Sequence, residues 1–218
     1  MIPANDASGD LATGSKRVFI DAFIGHAHRI LSAGYARLDA PACQSSEEDE
    51  ITGDLAREMA EVIGTDPSPV MRMFQVHDQH PVTPPGGPKT NRRVGKRRSK
   101  IDLQFVANTG SGFHRFSWEA KRLGPGHAIG AYLGPAGLGC FLSGQYSSDC
   151  EFGGMIGYAQ GGTCETWHQV IHDRLGSLIE SLAVAIYPDV PVKIIRSNHD
   201  RKSVGRGIRI FHTILQFN

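Results

Sequence analysis

A chain of 218 residues with 40% hydrophobic side chains is long enough to bury one sizeable core, and its formal net charge of +1 excludes both an acidic solvating chain and a histone-like polycation. Any basic partner surface must therefore be local. Four cysteines without C-x-x-C spacing exclude the usual zinc frameworks, and neither a secretory apolar core nor a span of about 18 apolar residues is seen, so a cytoplasmic protein with reduced thiols and no membrane association is expected.

The chain reads as a single domain over 1–218, with 1–44 as a helical extension. Val18, Phe19, Ile20, Phe23, Ile24, Ile30, Leu31, Tyr35 and Leu38 recur at helical spacing, with Ser15 as a cap. Ser45 or Ser46 opens a second helix, about 47 to 63, in which Ile51, Leu55, Met59 and Val62 form one stripe and Gly64 offers a stop. VMRMFQVHD, residues 70 to 78, suits a strand. Residues 79 to 99 have no apolar period and read as a flexible basic arm.

KIDLQFVA and FHRFSWEAK are alternating runs joined by NTGSG, which signals a hairpin. A two-residue and a four-residue loop give the same register, with Asp102 opposite Glu119, Gln104 opposite Ser117 and Val106 opposite Arg115. Ile101, Leu103 and Phe105 then share the core face with Ala120, Trp118 and Phe116, leaving the other face mostly polar. Residues 124 to 162 are Gly-rich, with short helices expected within CFLSGQY and GMIGYAQ. Trp167, Val170, Ile171, Leu175, Leu178, Ile179 and Leu182 mark an amphipathic helix over about 163 to 183. VKIIRS and GIRIFHTILQF close the chain as strands.

The hairpin carries the chemistry. Strand periodicity sends Lys121 to the same face as Glu119 and Asp102. Directly opposed carboxylates have Cβ atoms about 4.5 to 5.5 Å apart, so the pair must hold a proton or a cation. A hard divalent ion such as Mg²⁺, with Mn²⁺ as a substitute, converts that repulsion into coordination, and Lys121 then positions water or steadies negative charge. The competing reading is a solvated cross-strand ion pair worth a fraction of a kcal/mol.

Asp102 followed by Glu119-Ala120-Lys121 resembles the signature of the PD-(D/E)XK nuclease superfamily, an acid on one strand and acid-x-Lys on the next, although Ile101 stands where the family carries proline. The resemblance implies a three-layer, restriction-endonuclease-like α/β fold. Its mixed central sheet is flanked by helices in the order αβββαβ, matched here to the helix at 47–63, strands near 70, 100 and 113, the helix at 163–183 and a strand near 193. It further implies a helix-borne acid, Glu48, with Glu47 as the substitute, and a polar residue after the acid-x-Lys strand, Gln160. Ser45-x-x-Glu48 also reads as a capping box.

Arg92, Arg93, Lys96, Arg97, Arg98 and Lys100 concentrate charge just before Asp102, and Arg115 faces the same groove, so counterion release would supply nucleic-acid affinity. The expectation is a Mg²⁺-dependent DNA endonuclease, by resemblance one serving bacterial defence against foreign DNA. RNA or tRNA is the alternative substrate, and a catalytically silent nucleic-acid-binding subunit the alternative class. The absence of G-x-x-x-x-G-K-[ST] assigns any ATP-driven step to a separate partner protein, and cutting both strands would suit a homodimer. His199, Arg201 and His212 are read as structural.

Overall fold

The computed structural model describes residues 8–82, 99–109, 112–179 and 190–218, with side chains in the first helix from residue 17 onward. Helix α1 spans Ser8–Tyr35, beginning well before Ser15, and a short helix α2, Ala40–Cys43, follows it. Helix α3 is Glu48–Thr65. Its N-cap is Glu47, whose carboxylate and that of Glu50 each accept a backbone N–H across the first turn. The capping box thus falls two residues later than Ser45-x-x-Glu48, and three acids in the first turn complement the helix dipole. The helix ends one residue past Gly64, at Thr65, because Asp66 precedes Pro67 and is held extended.

The expected strand at 70–78 is half correct. Pro69 takes the first position of a 3₁₀ turn over Pro69–Met73, and strand β1 begins only at Phe74 and runs to Pro81. Strands β2, Lys100–Asn108, and β3, Phe113–Leu123, form the hairpin in the expected register, from Leu103 opposite Trp118 to Asn108 opposite Phe113. Helices α4, Ile129–Leu133, and α5, Leu138–Leu142, lead into strand β4, Phe152–Ala159. GMIGYAQ is therefore strand, not helix. Helix α6, Cys164–Leu175, ends in a 3₁₀ turn at Gly176–Leu178, and strands β5, Ile194–His199, and β6, Ile208–Gln216, complete the chain. The last part of the helix expected to 183 lies outside the described residues.

The six strands among the described residues form one mixed sheet in the order β1-β2-β3-β4-β6-β5. β1, β2 and β3 are antiparallel, β3, β4 and β6 are parallel, and β5 pairs antiparallel with β6. The strand near 193 is consequently an edge, and β4 takes the place beside β3. α1 and α3 bury Ile24, Leu31, Ile51 and Leu55 against Phe105, Phe116 and Trp118 on one face. On the other face α4, α5 and α6 pack Tyr132, Phe141 and Ile171 against Leu123, Met155 and Ile214. The result is a three-layer α/β arrangement, and the face carrying Glu119 is a second core rather than a mostly polar surface. Among the described residues no helix is long and apolar enough to cross a membrane.

Candidate active site

Alternation along β2 fails at one residue. Leu103 and Phe105 join the α1–α3 core while Ile101, two residues earlier, joins the opposite one, which corrects the expectation that all three share a face. Asp102 lies between them. The β2–β3 pairing ends at Leu103, so the expected Asp102–Glu119 pair is not formed; instead the Ala120 N–H donates to Asp102 Oδ2 at 2.8 Å. On the other flank the pairs Asp78–Leu103 and His80–Ile101 persist, yet Gln79 between them adopts φ +47°, an uncommon conformation for a side-chain-bearing residue. Its amide donates to Asp49 Oδ1 at 3.2 Å and reaches Asp102 Oδ1 at 3.5 Å. A kinked neighbour and a carboxylate in the strand fork store local strain where the chemistry is expected. Gln79 was legible only as the start of the arm, because nothing in sequence reports a positive φ at glutamine.

Glu119, Lys121, Asp102 and Glu48 converge at this end of the hairpin. Lys121 Nζ stands 2.8 Å from Glu48 Oε1, 2.9 Å from Glu119 Oε1 and 3.8 Å from Asp102 Oδ2. Glu48 comes from the first turn of α3 and also accepts the Arg122 backbone N–H at 3.2 Å, tying the helix start to the end of β3. Exposure is graded: the Glu119 side chain is 6% exposed and that of Glu48 is 26% exposed, so the cluster opens to solvent on the α3 side. Glu47 points elsewhere, pairing with Arg122 at 2.7 Å while largely exposed, so the two candidate helix acids are separated by geometry.

Three carboxylates surround one ammonium. Burial first, and the nearby Asp102 charge second, push the Glu119 carboxyl up to about 8. Asp102 is also raised by burial, with Lys121 and the Ala120 N–H opposing. Burial alone would lower Lys121, but Glu119, Asp102 and Glu48 together hold it above its ordinary value. Glu119 Oε2 is buried with no hydrogen-bond partner among the described residues. Among those residues no group of three or more His, Cys, Asp or Glu side chains is placed to hold a metal ion as it stands; the Lys121 ammonium sits among the carboxylates. The surplus of acid over base and the orphaned oxygen nonetheless suit a cation.

Gln160 is not part of this cluster. It follows a strand, and its amide donates to the Cys43 and Ser46 carbonyls at 2.9 and 2.8 Å, anchoring the segment that leads into α3. Tyr158 is likewise structural, its hydroxyl 2.9 Å from Thr52 Oγ1 in the core. Arg115 is ion-paired with Asp149 on the surface, and Lys100 is exposed beside Asp102. Arg92, Arg93, Lys96, Arg97 and Arg98 lie outside the described residues. The two ends of that segment meet where Val82 N–H donates to Ser99 O at 2.8 Å, three residues from Asp102.

No family model, curated protein or solved structure matches the chain.

Proposed function

We propose that this chain is a divalent-cation-dependent nuclease of the restriction-endonuclease-like class, acting as an endonuclease on DNA. One observation carries the reading: Asp102, Glu119 and Glu48, from two strands and a helix, meet around Lys121 with an unpartnered buried carboxylate oxygen. A structural ion pair needs one acid for one base, and this cluster has three acids.

Asp102 and Glu119 would hold a Mg²⁺ or Mn²⁺ ion, with Glu48 on the open side. Such an ion supplies Lewis-acid polarisation of a phosphoryl oxygen and a lowered pKa for its water. Asp102 is pre-set for this role, since the Ala120 N–H fixes Oδ2 and leaves Oδ1 facing Gln79 at the limit of bonding distance. Burial raises the Glu119 carboxyl to about 8, so cation affinity should strengthen as pH rises through about 8. Lys121 remains an ammonium, which makes it a donor able to orient water or balance charge on a pentavalent phosphate, not a base. Lys100 and the basic residues 92–98, which in sequence lie between the bonded residues Val82 and Ser99, support a polyanionic substrate.

The test is parallel incubation of plasmid DNA, oligonucleotides and structured RNA with the purified chain at one salt concentration, with Mg²⁺ or with chelator. Mg²⁺-dependent cutting of DNA is expected, and RNA cut faster than DNA would move the assignment to a ribonuclease. No hydrolysis of either polymer would overturn it in favour of a silent binding subunit.

A further inference from the structure

A polar cavity of about 340 Å³ lies on the same side of the sheet as Glu119. Its floor is the hairpin itself, where Gln104 and Ser117, 5% and 4% exposed, bond side chain to side chain at 3.2 Å. Val82 and Ile101 supply an apolar wall, and Ser148 and Asp149 of the loop after α5 stand opposite. That loop is rigidly held: buried Arg201 donates to the Ser147 and Cys150 carbonyls at 2.8 and 2.6 Å, and Arg115 grips Asp149. The cleft is thus preformed, and of the size that takes a small ligand.

Its chemistry is selective. The Arg115 charge is met by Asp149, burial and the neighbouring cations hold His80 below its ordinary value, and burial first, then Asp149, push the Cys150 thiol up to about 11. No net charge is left to retain a phosphate, while the buried amide and hydroxyl make the floor a poor seat for a purely apolar group. A neutral, flat ligand with donors and acceptors on its edge fits both constraints. Ser117 precedes Glu119 by two residues on the same strand face, about 6.6 Å, and Ile101 adjoins Asp102. Among the described residues the Gln104 amide spends one N–H on Ser117 and keeps its oxygen and second N–H, the pair that meets adenine N6 and N7.

Resting on the nuclease reading above, we propose that this cleft receives an unstacked adenine from the nucleotide next to the cut phosphate, read by Gln104. The strand must therefore be single or locally opened where it is cut.

Fluorescence anisotropy in chelator, where no cutting occurs, tests this with short oligothymidylates carrying one central adenosine or one abasic site. The wild-type chain should bind the adenosine strand about tenfold more tightly, and the ratio should fall to about one in Gln104→Leu and in Ser148→Phe, which fills the cleft from the loop side. Circular dichroism confirms that each variant is folded. Equal affinity for the two strands, no binding of either, or a preference that survives both variants would overturn the proposal. Adding Mg²⁺ to the same mixtures separates the two claims, because adenine-dependent binding without cutting would remove the nuclease and leave the pocket.

Discussion

Two of the buried polar networks among the described residues are built on opposite rules. In one, Tyr132 OH lies 3.1 Å from His212 Nδ1, His212 Nε2 lies 2.8 Å from Ser197 Oγ, and Ser197 Oγ lies 2.7 Å from His199 Nε2. Every member of that chain is neutral, with burial first and His199 next pushing His212 down to about 3. In the other, three carboxylates share one ammonium and an oxygen goes unpartnered. A network whose bonds are complete stabilises a core, and one with unmet charge persists only if something outside the chain completes it. The contrast supports the proposal that the hairpin end is the functional site, and it supports reading the histidines as structural.

Substitution should separate the two most sharply through activity. Asp102→Ala or Lys121→Ala should reduce Mg²⁺-dependent cleavage at least ~100-fold while circular dichroism stays native. A full rate in either purified variant would erase the distinction. His212→Ala should do the reverse, costing about 3 kcal/mol in denaturant unfolding by leaving Tyr132 and Ser197 unpaired around a cavity, with cleavage per folded molecule unchanged.

Opposite pH signatures sharpen the comparison further. A buried neutral histidine has a folded pKa below its unfolded value near 6.5, so the stability it contributes is present above that pH and lost as pH falls toward about 3. Glu119 has a folded pKa above its unfolded value, so its contribution is present below about 4.5 and lost as pH rises through about 8. Cation-free unfolding curves should show both limbs, with Glu119→Gln flattening the alkaline one alone and His212→Asn reducing the acid one. The smallest effect is expected at Glu47→Ala, where a cap and an exposed pair with Arg122 are lost together, a cost of about 1 kcal/mol or less in the same unfolding assay.

Much of the site was legible because the hairpin obeys a period of two and its register depends only on where the turn falls. That placed Asp102 near Glu119 and Lys121 from residue order, although the ladder stops at Leu103, and the family resemblance pointed to Glu48 as the helix-borne acid. What escaped was set by tertiary contact. β4 reads poorly as a strand because Gly153, Gly154 and Gly157 interrupt it, yet each gap is filled from outside. A Cβ at Gly153 would lie 2.6 Å from Phe141 Cε1, and one at Gly157 would lie 2.5 Å from Leu123 Cδ1. The switch of Ile101 to the opposite core depends on the Gln79 kink and on Asp102 entering the strand fork, neither of which has a local sequence signal. Gln160 was assigned on the strength of an expected helix and fell with it.

Calorimetric titration of Mg²⁺ or Mn²⁺ into the cation-free protein at pH 8 asks the central question directly. Saturable binding by the wild type, lost in both Asp102→Asn and Glu119→Gln, is the predicted result. No uptake, or uptake undiminished in those variants, would contradict the claim that unmet charge at the hairpin end exists to hold a divalent ion.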